Sequence, residues 1–122
     1  MSKKDNDAKF TLNMNISLEG MTDVPEDKTA SDIFMGFCIG MIQRWAEAKG
    51  GMSYQEHKVV GGIRQAFLDV TKVKETTIVL DRTQLKFLNK TLMEVTTMPF
   101  GGNEMMLRVG KEIENAFQNE LT

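Results

Sequence analysis

The stretch KFTLNMNISL, residues 9–18, alternates without a fault: Phe10, Leu12, Met14, Ile16 and Leu18 fall on one side, Thr11, Asn13, Asn15 and Ser17 on the other. A period of two puts successive side chains on opposite faces of an extended chain, so the segment reads as a half-buried strand. A second short run, Thr76 to Leu80, is rich in β-branched residues and reads as another. Two-stranded sheets rarely stand unsupported. The strands must therefore pair with each other under helices, or with those of another copy of the chain.

Outward from the strands, the pattern becomes helical. Thr29 or Ser31 suits an N-cap, and the helix behind it runs to about Ala48, stopping at Gly50 and Gly51. Its first two-thirds are apolar all round, so one buried stripe does not describe it. Ser53 with Glu56 forms a capping box that opens a second helix to about Leu68, with Val59, Val60, Ile63, Ala66 and Phe67 on one face. Asp81 with Gln84 repeats that signal for a third helix carrying Leu85, Leu88, Leu92 and Val95 inward. After a loop from Thr96 to Gly102, Asn103 caps a fourth, whose inner stripe is Met106, Val109, Gly110, Ile113, Ala116 and Phe117. The expected fold is α+β, two βαα units with about four helices and two strands. Residues 1–8 read as a flexible polar tail and 9–122 as a single domain. Shifting the chain by 50 residues lays Ser53 on Asn103, Val59 on Val109, Ile63 on Ile113 and Phe67 on Phe117. That suggests a pseudo-repeat of 9–70 and 71–122, although any two capped amphipathic helices share such spacing.

Composition sets the outer bounds. The chain has 122 residues, 41% hydrophobic and 26% charged, enough for one packed core. A net charge of -2 gives no general pull toward nucleic acid or an anionic membrane. Cys38 is the one cysteine, so no intrachain disulfide forms. The polar N-terminus lacks the apolar core of a signal peptide, and the longest apolar run, residues 33–42, falls short of the ~20 residues that span a bilayer. A cytoplasmic protein is expected.

Chemistry-bearing residues are sparse. His57, the single histidine, lies on the polar face of the second helix with no nucleophile beside it in sequence. One Cys and one His do not supply a zinc site, and no Walker, nucleophile-elbow or dinucleotide motif is present. Neither catalytic residues, nor a metal, nor a cofactor is expected. Arg82, Lys86 and Lys90 line one face of the third helix; such a stripe tracks phosphates in nucleic-acid binders, but a solvated face is the commoner reading. Phe100, Gly101 and Gly102 lead into a helix start that favours anions, with Arg108 just over a turn later; Glu104 opposes an anion there. Gly36 and Gly40 lie four apart inside a helix, where each glycine costs about 1 kcal/mol relative to alanine. A compensating close contact is implied, within the subunit or between subunits. Ten methionines are many for this length, and Met35, Met41, Met93, Met98 and Met105 fall off or at the edge of the assigned stripes. Met is overused at adaptable binding surfaces, so Met35 and Met41 join Gly36 and Gly40 as a candidate interface.

The stretch Met52 to Arg64, followed by Ile78 to Leu88, resembles the helix, short strand and capped helix of small accessory proteins encoded in bacteriophage genomes. The resemblance covers about half the chain and carries over no functional residue. It implies a cytoplasmic accessory protein in a bacterial host. The function expected from the sequence is non-catalytic: a homo-oligomeric binding or inhibitor module acting on a protein partner. The alternative is an oligomer that sequesters a nucleotide, as anti-defence sponges do, through Phe100, Gly101, Gly102 and Arg108.

Overall fold

The computed structural model describes residues 9–17, 19, 28–95 and 102–119. Among them the chain runs β1 (Lys9–Asn13), α1 (Ala30–Ala48), α2 (Tyr54–Lys72), β2 (Thr77–Asp81), α3 (Arg82–Glu94) and α4 (Gly102–Asn119). The fold is α+β, four helices and one antiparallel sheet.

The strands pair inside the chain. Lys9 faces Asp81, Phe10 faces Leu80 and Leu12 faces Ile78, which stacks the apolar side chains of both strands on one face. The ladder is shorter than the sequence alternation because β2 offers only five residues. One further bond, from Met14 N–H to the Thr76 carbonyl at 2.8 Å, extends it. Beyond it the alternation still holds in burial: Met14 and Ile16 are buried, Asn15 and Ser17 exposed. Packing thus follows the period even where the ladder has ended.

Helices α1, α2 and α3 each start where a side chain can satisfy the free N–H groups. Thr29 and Asp32 cap α1 reciprocally, as Ser53 and Glu56 cap α2 and Asp81 and Gln84 cap α3. Ser31, the other cap expected for α1, lies inside the helix and donates to the Glu75 carbonyl instead. Asn103 likewise falls inside α4, which begins at Gly102. The second helix outruns Leu68 by a turn, since Val70 still packs on the core and the Thr71 hydroxyl donates to the Phe67 carbonyl. It ends at Lys72, and Lys74 beyond it lies in the left-handed region at φ 61°. The two halves also differ in length, with 19 residues in α1 and 13 in α3.

α2 packs on β2, α4 on β1, and α3 on both strands, while α1 packs against all three other helices. Leu12, Met14, Ile78 and Leu80 from the sheet meet Phe34, Cys38, Ile63, Phe67, Leu85, Leu88, Val109 and Ile113 from the helices in one core. Phe34 and Phe67 tie α1 to α2 with ring centroids 6.2 Å apart. No helix among the described residues is long and apolar enough to cross a membrane.

Candidate interaction surfaces

The side chains with reactive potential are placed structurally. Cys38 is fully buried, and burial pushes its thiol well above the ordinary range, so it behaves as a small hydrophobe. His57 is exposed on α2. Trp45 is 4% exposed, with its ring edge-on to Phe87 and its indole N–H donating to Glu94 Oε1 at 2.8 Å. Lys49 and Lys90 lie over the same ring, at 4.7 and 5.6 Å from its centroid, and Lys49 also bridges Glu56 at 2.8 Å. Glu56 accepts from Lys49 first and from the Ser53 N–H second, and both hold its carboxyl below the ordinary value.

The basic stripe runs along α3 as expected from its spacing, with Lys86 and Lys90 exposed and Arg82 half-buried. Its two ends rest on aromatic faces: Lys90 on Trp45, and Arg82 5.7 Å from the Phe10 ring. The stems therefore cover apolar surface and bring their charges over the rings.

Of the expected anion site, Phe100 and Gly101 lie outside the described residues, and Gly102 is the first residue of α4. Arg108 is directed at the main chain. Its Nη1 donates to the Ser17 carbonyl at 2.6 Å and its Nη2 to the Glu19 carbonyl at 2.9 Å. It pins the segment that follows β1 onto α4. The adjoining open depression of about 500 Å³ carries Glu19 and Glu112 beside Arg108 and Lys111. Two carboxylates there oppose a phosphate.

The methionine and glycine readings divide. Met41 is fully buried, because it lies one turn from Cys38 on the inner stripe of α1; Met35 is half-buried against the core, its sulfur 3.9 Å from the Thr71 hydroxyl. Met41 thus offers no surface to an interface, and Met35 offers only part of its side chain. Met98 lies outside the described residues, as does the Met105 side chain. Met93 is 60% exposed. The glycines separate by what a Cβ would meet. At Gly62 it would lie 2.8 Å from Gln84 Nε2, and at Gly110 3.3 Å from Leu92 Cδ1. At Gly36, Gly40 and Gly61 it would meet nothing within 4 Å among the described residues. Close packing among the described residues accounts for the first two and not for the other three.

One apolar groove was not anticipated. It runs between the end of α3 and α4, holds about 590 Å³, and has Leu92, Met106 and Gly110 in its lining. Met93 and Leu107, the latter 71% exposed, stand beside them, with Lys111 and Glu114 also in the lining. The inner stripe of α4 was legible in the sequence; Leu107, one residue off that stripe, was the overlooked signal. Compared with known protein families, curated proteins and solved structures, the chain matches none.

Proposed function

We propose that the chain is a cytoplasmic, non-catalytic accessory protein that acts as a homo-oligomer by occupying a partner protein, in the manner of the bacteriophage proteins it resembles. The observation that carries this reading is the groove between α3 and α4. A soluble chain gains nothing by leaving Met93 and Leu107 in water beside Leu92 and Met106, and apolar lining of this kind suits an incoming apolar segment. Methionine adds adaptability, because its unbranched thioether repacks around different shapes. Arg108, with two of its nitrogens on main-chain carbonyls, lends no such support to a nucleotide-sequestering role.

The test is capture from host lysate by the tagged full chain and by the same chain carrying Leu107→Glu. Leu107 is exposed, so the variant keeps its circular dichroism. A protein retained by the parent and lost in the variant is the expected result. Equal retention by both, or none by either, overturns the reading.

A further inference from the structure

Asp32, Gly36, Gly40 and Arg44 follow one another at four-residue intervals and so form a single row along α1. The row lies on the side of the helix away from Phe34, Cys38, Met41 and Trp45, which are buried. Its middle is the pair of glycines at which a Cβ would meet no atom of the described residues within 4 Å. Ile33 and Ile39 flank the glycines and are half-buried, so the upper part of this outward face is apolar where α2, α3 and α4 present charge. The row ends in opposite charges, a carboxylate at Asp32 and a guanidinium at Arg44. Among the described residues neither is in a salt bridge.

Those ends decide what fits. When a second α1 is laid antiparallel over the first about a two-fold axis, glycines cross glycines, Asp32 approaches Arg44 of the second copy, and Arg44 approaches its Asp32. A two-fold interface is self-complementary, so each charge is answered twice. Rows spaced four apart interleave when helices cross at about 50°, the commonest packing class, and glycines at the crossing let the backbones come close. Parallel pairing would instead set Asp32 against Asp32 and Arg44 against Arg44.

We propose that α1 is the self-association surface of this protein, and that its occupant is the α1 of a second copy, antiparallel, crossing at Gly36 and Gly40. This names the surface for the homo-oligomer of the preceding reading and rests on that part of it.

The experiment is sedimentation equilibrium of the full chain and two variants. The parent should weigh twice the chain. Gly40→Leu should sediment as the monomer while keeping its helix content, since among the described residues nothing lies within 4 Å of where the added side chain begins. Arg44→Glu should weaken the dimer at least tenfold, since it sets like charges against Asp32 of the second copy. A dimeric parent unmoved by Gly40→Leu and Arg44→Glu overturns this inference alone and leaves the homo-oligomer standing on another surface. A dimer broken by Gly40→Leu but indifferent to Arg44→Glu overturns the antiparallel pairing. A monomeric parent overturns both the inference and the homo-oligomer.

Discussion

Helices α1 and α4 both carry glycine in mid-helix, yet the residue serves opposite ends in the two. Gly110 is buried, and Leu92 of α3 lies where its side chain would begin. Gly36 is exposed and Gly40 half-buried, and among the described residues nothing lies within 4 Å of a Cβ at either. The surroundings differ in the same sense. α4 is amphipathic, with Val109, Gly110, Ile113 and Ala116 buried and Lys111, Glu114 and Asn115 exposed. α1 is apolar nearly all round in its first turns, a composition expected of a helix covered on every side. A helical glycine is therefore a signal of close approach whose direction the sequence alone leaves open, and for α1 the proposed neighbour is a second copy of the chain.

The sharpest way to break that contrast is to fill both kinds of space. Gly110→Leu should cost about 1–2 kcal/mol in denaturant unfolding, because its side chain would crowd Leu92 and force it from its rotamer. If the protein tolerates it, Leu92 is not confined and the contrast fails. Gly36→Ala and Gly40→Ala, measured at concentrations where the chain is monomeric, should each stabilise it by about 0.5–1 kcal/mol through helix propensity. A loss at either position would mean that the space is filled within the subunit. Gly62→Ala sits between these cases. Its Cβ displaces the far end of Gln84, whose Oε1 accepts the Asp81 N–H in the α3 capping box. The lost cap and the gained propensity should cancel to within about 0.5 kcal/mol. The smallest effect concerns Glu56. Its carboxyl is held below the ordinary value by Lys49 and the Ser53 N–H, so its contribution is present above the unfolded value and lost as pH falls through the folded one. The thermal midpoint of the parent should exceed that of Glu56→Gln at neutral pH, and the two should converge as pH falls through the lowered value of the Glu56 carboxyl.

Much of the fold was legible because its signals are local. The alternation from Lys9, the boxes at Ser53 and Asp81, and the stripes of α3 and α4 each lie within a turn or two of chain. Boundaries failed where a distant partner decides them: β1 stops at Asn13 because β2 is short, and Ser31 is no cap because Glu75 takes its hydroxyl. The candidate sites were less legible for the same reason. The position of Arg108 near a helix start suggested an anion, but the carbonyls it meets lie 91 and 89 residues away. Met41 looked like a surface residue because α1 lacks a polar face to mark its inner side. The groove beside Leu107 arises from two helices together, and neither announces it alone.

The pairing of Lys9–Asn13 with Thr77–Asp81 also sets a schedule for the chain. During synthesis the first strand leaves the ribosome with no partner in existence. At about 5–20 residues per second, β2 follows only after roughly 3 to 15 s. For that interval an alternating, β-prone segment waits while α1 and α2 form above nothing, and it is the stage at which this protein is most exposed to misassembly or capture by a chaperone. The bonds from Arg108 come later still, so the last helix to be made is also the one that locks the first strand's continuation in place.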